Sequence, residues 1–387
     1  MINGKTIFDP EHYRNVRLPT LEAETLPIWC YTSREFYDRE VERIFRKVWN
    51  FIGREDEIPK PGDYATFDLL GESIIVLRDK AGHPRAFANT CRHRGTRLLR
   101  GRGHCRVISC PYHSWTYALN GDLIASPGME ETVAFDRKHY GLVQIRLESW
   151  DGFMFVTFDK ASIGLRDYLG DLPERLAFHD MANMTCVRRK EYDLACNWKL
   201  YLENAMEEYH TPTVHKLSIG KQSTIRESSH GQWDGMHMPA EKTSALLPED
   251  LDSAFPPIPT LQGKAAAGTY FMVIYPSTFF AVTQDCMWWL QEFPEGPART
   301  RVVIGSCFPR ATVARADFSE KVQKYYHRWD KSLPEDNAIS ELQQLGVGSS
   351  FCRPGRLSFH EPMVRDIANW VLDRVLDPVP GSAASGG

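Results

Sequence analysis

Apolar side chains recur at three- and four-residue intervals over residues 34–50, from Phe36 and Tyr37 through Phe45 to Trp49, and this period predicts an amphipathic helix. The period then changes. From Phe51 to Phe158 short alternating runs such as Tyr64-Ala65-Thr66-Phe67 and Ser73-Ile74-Ile75-Val76-Leu77 are punctuated by Pro61-Gly62, Lys80-Ala81-Gly82 and Asn120-Gly121, the pattern of a small all-β unit. Asn120-Gly121, between Trp115-Thr116-Tyr117 and Leu123-Ile124, predicts a hairpin closed by a type I′ turn, in which both central residues take positive φ. Beyond residue 160 the signals mix. A helix is expected over Asn197–Glu208, a Gly-, Ser- and Pro-rich loop over 218–268, and antiparallel strands over Tyr270–Tyr275, Thr278–Thr283, Met287–Phe293 and Arg299–Phe308. Helical spacing returns at Phe318–Trp329, Glu335–Leu345 and Ile367–Val375, and the Ser/Ala/Gly tail 381–387 is expected to be disordered.

Composition narrows the functional class. With 42% hydrophobic and 25% charged residues among 387, the chain is expected to fold into two or three domains and stay soluble. Its 46 Lys and Arg against 50 Asp and Glu give a net charge of −4, which offers no field for holding nucleic acid. Met1–Arg17 has no apolar core of a secretory signal, and the most apolar stretch, Tyr270–Val282, is interrupted by Pro276, Ser277 and Thr278. A cytoplasmic protein with no membrane span is expected. Nine cysteines, an odd number spread over a long chain, point to thiols or metal ligands in preference to a disulfide framework.

Two constellations carry chemistry. Cys91-Arg92-His93 is followed after sixteen residues by Cys110-Pro111-Tyr112-His113, so that each of two loops offers one thiolate and one imidazole. Such a set can hold a tetrahedral zinc, or a [2Fe-2S] cluster with both Cys on one iron and both His on the other. Further on, Asn197-Trp198-Lys199 leads through Glu203-Asn204 to Glu207-Glu208-Tyr209-His210-Thr211-Pro212-Thr213-Val214-His215. Two His five positions apart around Pro212 can face one point, and one carboxylate would complete the facial triad of mononuclear Fe(II) oxygenases, which leaves positions open for dioxygen.

Cys91-x-His93 with Cys110-x-x-His113, flanked by Arg94-Gly95 and Ser114-Trp115-Thr116-Tyr117, resembles the Rieske signature. The order of that motif, Asn-Trp-Lys, Glu-Asn and acid-x-x-His-x4-His resembles the α (terminal oxygenase) subunit of Rieske non-heme iron oxygenases over about residues 30–375. The resemblance implies an α+β chain: an N-terminal helical segment at 1–44 packing on the catalytic domain, a small all-β Rieske domain at 45–160, and at 161–380 a catalytic domain whose antiparallel sheet is flanked by helices, of helix-grip type. It implies that Cys91, His93, Cys110 and His113 bind a [2Fe-2S] cluster and that His210 and His215 bind a mononuclear Fe(II), with Asn204 close by. The third ligand in the family is an Asp ahead of a Gly-Arg-Leu-Ser segment, which selects Asp336 before Gly355-Arg356-Leu357-Ser358; Glu335, Glu341, Glu361 and Asp366 compete for the place on spacing alone. Glu207 stands where the family commonly has the Asp that bridges the iron His to a Rieske His of a neighbouring subunit. That implies a bridge from His113 of one subunit through Glu207 to His210 of the next, and hence a ring, expected to be a homotrimer. Glu at this place is closer to the quaternary-ammonium oxygenases than to the ring dioxygenases.

No Gly-rich dinucleotide fingerprint and no second cysteine set is present, so electrons from NAD(P)H are expected to come through a separate flavin/iron-sulfur reductase or ferredoxin. The substrates expected are O2 and a small organic molecule, by preference a quaternary ammonium compound to be hydroxylated or N-dealkylated. A ring-hydroxylating dioxygenase, an N- or O-demethylase of an aromatic compound, and a Rieske electron-transfer protein are the rival readings. The aromatic segment Tyr270–Trp289 can supply pocket walls, although most of its rings are expected in the sheet core.

Overall fold

The computed structural model describes residues 5–377. They form two compact units: Lys47–Tyr168, and a second made of the residues up to Arg46 together with those from Leu169 onward. The tail 381–387 lies outside the described residues. Among the described residues no helix is long and apolar enough to cross a membrane.

The Lys47–Tyr168 unit is all-β apart from single helical turns. Seven strands pair in the order Asn50–Arg54, Phe153–Thr157, Gln144–Trp150, Pro84–Ala88, Glu72–Arg78, Asp63–Leu69, Arg102–His104, and three short ones, Ile108–Ser109, Thr116–Tyr117 and Leu123–Ala125, make a second sheet. Ile75, Leu77, Phe87, Trp115, Tyr117 and Leu119 close a core in which Cys91 and Cys110 are also buried. The hairpin at Asn120-Gly121 is real, but its turn differs from the type I′ expected. Gly121 has φ +94° and Asn120 is not among the positive-φ residues, while the Gly121 N–H bonds the Ala118 carbonyl at 2.9 Å. A type I turn followed by a left-handed glycine, with the register shift seen beside it, replaces the two-residue loop. A Cβ on Gly121 would meet the Phe87 ring at 2.6 Å. Gly121→Ala is therefore expected to cost about 1–3 kcal/mol, read as a lowered thermal midpoint.

The other unit is built on a seven-stranded antiparallel sheet in the order Met184–Leu194, Arg299–Pro309, Met287–Gly296, Thr278–Val282, Gly268–Ile274, Trp233–Pro239, Ile225–Arg226. The α+β class holds. Trp233–Pro239 and Ile225–Arg226 lie in the stretch expected to be loop, and Met184–Leu194 is a further strand beyond the four expected.

A single helix, Phe318–Val347, runs against this sheet, with Trp329 packed on Trp288 at 5.3 Å between ring centroids. Two helices, Phe318–Trp329 and Glu335–Leu345, were expected from spacing, and Pro334 between them lacks an N–H and crowds the preceding turn. The chain stays helical through it because Val322, Tyr325, Trp329 and Leu333 before Pro334, and Asn337, Ser340 and Gln344 after it, bury one continuous stripe. The helix expected over 34–50 is shorter: Arg34–Glu40 passes into a π-turn at Val41–Phe45, and a strand begins at Asn50. The wider turn keeps Ile44 and Phe45 fully buried on the face already used by Phe36 and Tyr37. On that face the Glu40 carboxylate meets the Lys199 ammonium at 2.6 Å, both side chains without solvent exposure.

Candidate metal centres

In the Lys47–Tyr168 unit, Cys91 and Cys110 are buried while His93 and His113 on the same two loops reach towards the surface. The imidazole rings stand 4.8 Å apart and near perpendicular, and His93 stacks on Trp115. The Tyr117 hydroxyl lies 3.3 Å from the Cys91 sulfur. Burial pushes the Cys110 thiol up, but the backbone N–H groups of Tyr112 and His113 outweigh it and bring the net shift below the usual thiol value. Burial, with Arg94 and His93 nearby, lowers His113, a shift towards the neutral imidazole. Stabilised thiolate sulfur at one end and neutral imidazole at the other is the donor chemistry of a [2Fe-2S] cluster of Rieske type.

The second set forms around a single helical turn. His210 caps the N-terminus of Thr211–Val214 and His215 its C-terminus, with Pro212 in the first turn, where an absent N–H leaves no bond unmade. The two rings are 5.1 Å apart. Both present Nε2 to one oxygen of Asp336: His215 at 3.1 Å and His210 at 3.5 Å. The ligand atoms of His210, His215 and Asp336 all lie within 4.8 Å of one another. Each imidazole is held from behind through Nδ1, His210 by Glu207 at 2.5 Å and His215 by Glu335 at 2.7 Å. Burial alone would lower His215, yet the carboxylates of Asp336 and Glu335 outweigh it and raise it, so this pocket favours positive charge. Two imidazole nitrogens and one carboxylate oxygen, in a pocket that favours positive charge, fit a divalent iron.

Each expected site residue can be located. Asn204 donates to Asp336 Oδ1 at 2.9 Å. The Glu207 carboxylate also accepts the backbone N–H groups of Tyr209 and His210, which fixes its plane. Of the acids that competed with Asp336, Glu335 lies behind His215, Glu341 accepts the Ala195 N–H, Glu361 accepts the Ser358 N–H, and Asp366 pairs with Arg226. Sequence reasoning did not assign Glu335 its place against His215; its only signal was adjacency to Asp336.

The three donors line a cavity whose walls include Phe271, Phe279, Trp288 and Leu290. Register explains which aromatics face it. Met236, Phe271, Ala281 and Trp288 form one cross-strand row, with Phe279 and Leu290 paired one row away on the same face. Phe280 and Trp289 pair on the opposite face and belong to the core. Arg328 and Ser332, from the long helix, complete the wall opposite the sheet. Neither was singled out from the sequence.

Comparison with known proteins follows this division. The Rieske [2Fe-2S] domain family matches residues 48–144, and the family described as ring hydroxylating alpha subunit (catalytic domain) matches residues 181–377. A carnitine monooxygenase oxygenase subunit of Acinetobacter baumannii is 33% identical over 247 residues, a match covering 60% of this chain and 65% of that relative's length. The chloroplastic choline monooxygenase of Beta vulgaris is 27% identical over 358 residues, covering 90% of this chain and 75% of its own. Among solved structures, the quaternary ammonium Rieske monooxygenase CntA in complex with the substrate gamma-butyrobetaine superposes with a TM-score of 0.79 at 25% identity, over 95% of this chain and 99% of that one. These families imply a Rieske cluster and a mononuclear iron, the groups that the two donor sets fit. The chain belongs to the ring-hydroxylating α-subunit family and carries an amino-terminal Rieske [2Fe-2S] domain.

Proposed function

We propose that this chain is the terminal oxygenase of a multicomponent system that oxidises a small quaternary ammonium compound. Cys91, His93, Cys110 and His113 hold the cluster, and His210, His215 and Asp336 hold the iron. When bound, the cluster passes electrons singly and the iron activates dioxygen. The observation that carries this reading is the convergence of His210, His215 and Asp336 at the wall of an aromatic cavity, which leaves room for both dioxygen and an organic substrate.

The protein's own groups have separable tasks. Glu207 and Glu335 orient the two imidazoles through Nδ1, leave Nε2 as the atom that would meet the metal, and raise ligand basicity. Asn204 holds the Asp336 carboxylate by one oxygen. Phe271, Phe279 and Trp288 exclude water, and Phe271 and Phe279 offer ring faces to a trimethylammonium group, each contact worth about 0.5–2 kcal/mol. One oxygen atom inserted into a C–H bond next to the quaternary nitrogen, the other leaving as water with two electrons and two protons, gives an α-hydroxyalkylammonium, which loses a proton and separates into a tertiary amine and an aldehyde. Electrons come from NAD(P)H through a separate reductase or ferredoxin, and we place the reaction in the cytoplasm, a setting that suits cysteines kept as thiols or metal ligands.

Glu207 also lines a second cavity, bordered by Glu203, Arg353 and Glu361, so its carboxylate stands between two openings. That position supports a ring of three in which His113 of a neighbouring subunit approaches Glu207 from the second opening. Glu335→Gln is expected to weaken iron retention about 10- to 100-fold in competition with a chelator, with the cluster's visible spectrum unchanged. The function itself is tested by incubating the iron-loaded protein, a surrogate reductase and NADH with betaines, choline and simple arenes, scoring aldehyde and amine. Release of both from an ammonium substrate is expected. A diol from an arene, with no ammonium compound consumed, would falsify the reading.

A further inference from the structure

The cavity contains a cation that the metal chemistry does not use. Arg328 lies on the long helix, eight residues before Asp336, and is only 5% exposed although it lines the cavity. Its Nη1 donates to Ser332 Oγ at 3.2 Å, and its Nε is buried with no partner. Among the described residues no carboxylate lies within ion-pair reach of it; Asp336 and Glu335, whose charges act on it from farther away, are engaged with the two imidazoles. Burial lowers its pKa to about 10, which still leaves it charged at neutral pH. A buried guanidinium without a counter-ion is costly, and the cost is relieved when an anion with two acceptor oxygens meets its fork of donors. The guanidinium also sits 4.9 Å over the Trp288 ring and so occupies one of the aromatic faces that an ammonium group would otherwise use.

Resting on the quaternary ammonium reading above, we propose that Arg328 is the anchor for a carboxylate of the substrate, so that the cavity selects zwitterionic betaines over alkylammonium cations. A substrate that is only a cation meets a fixed like charge here and leaves the guanidinium unpaired. One with a carboxylate neutralises it and points its other end towards Asp336. At 1.5 Å per residue, eight residues separate Arg328 and Asp336 by about 12 Å along the helix axis. The Ser332 contact draws the guanidinium along the helix towards Asp336 and shortens that span. The geometry therefore favours a substrate with several bonds between its carboxylate and the carbon oxidised. Arg328 is a specificity-determining residue with no part in the oxygen chemistry.

Binding to the oxidised holoenzyme, followed by tryptophan fluorescence or calorimetry, tests this with three probes of one shape: γ-butyrobetaine, butyltrimethylammonium without the carboxylate, and 5,5-dimethylhexanoate with carbon in place of nitrogen. The parent protein is expected to bind γ-butyrobetaine at least about 10-fold more tightly than butyltrimethylammonium. Arg328→Met should abolish that preference, and Arg328→Lys should keep part of it, because an ammonium retains the charge without the fork. Equal binding of the two ammonium probes by the parent, or an unchanged preference in Arg328→Met, overturns the anchor and leaves the ammonium reading standing. If 5,5-dimethylhexanoate binds as tightly as γ-butyrobetaine and depends on Arg328, the anchor stands and the ammonium reading falls. Failure of all three probes to bind overturns both. Should Arg328→Met not fold, the parent's preference and the Lys variant decide the matter.

Discussion

Replacing Asp336 with alanine is expected to reduce iron from about three to about two per chain while the visible spectrum of the cluster is retained, and to lower turnover by a factor on the order of 10³ or more. Two imidazoles alone make a weak site for a hard divalent ion, and Asp336 is the residue whose oxygen both Nε2 atoms address. Its loss also strands the Asn204 amide that now donates to it. Glu341→Gln provides the control: that acid lies on the same helix but caps the Ala195 N–H, so iron content should not change. Full iron occupancy in Asp336→Ala would remove Asp336 from the ligand set and return the choice to its competitors.

Changing Glu207 to glutamine should leave both metal sites filled and slow the substrate-dependent reoxidation of the reduced cluster on the order of 10²-fold. The carboxylate accepts from His210 Nδ1 at 2.5 Å through one oxygen and from the backbone N–H groups of Tyr209 and His210 through the other, and it borders the second opening. An amide has one acceptor oxygen and one donor nitrogen, so it can serve His210 or an incoming imidazole N–H, but not both. Stopped-flow absorbance of the cluster in a single turnover measures the effect directly. Glu207→Asp, which keeps the charge on a shorter arm, should recover part of the rate. An unaltered rate in the glutamine variant would mean that electrons reach the iron by another path.

The donor residues were legible as candidates because their chemistry is written locally. Cys-x-His, Cys-x-x-His and His-x4-His each bring their ligands together within one loop or one helical turn. The carboxylate was not local. Glu335 and Asp336 are neighbours on one helix, and the fold turns one towards His215 Nδ1 and the other towards Nε2 of both histidines. Spacing cannot separate two adjacent acids; only the family's order did so. The same blindness explains the strand Trp233–Pro239. Asp234 and His237 are buried there because Tyr275 and Ser229 donate to the first and the Lys264 carbonyl meets the second, partners as many as 41 residues away. Polar residues satisfied from a distance look like loop residues in a local window. Arg328 is the extreme case, a charge that reads as solvated helix surface and instead lines the cavity.

The unit that holds His210, His215 and Asp336 is assembled from two stretches of chain with all of Lys47–Tyr168 between them. During translation Glu40 therefore leaves the ribosome 159 residues ahead of Lys199, its buried partner. At about 5–20 residues per second the wait is roughly 8–30 s, long enough for the intervening β unit to close first. Until Lys199 arrives, Phe36, Ile44 and Phe45 have no core to enter, and the first 46 residues travel as an apolar, chaperone-accessible segment. Shortening the chain at this end should thus leave a β unit able to take up its cluster and a nascent iron site that goes to proteolysis, a lesion that starts far in sequence from every metal ligand.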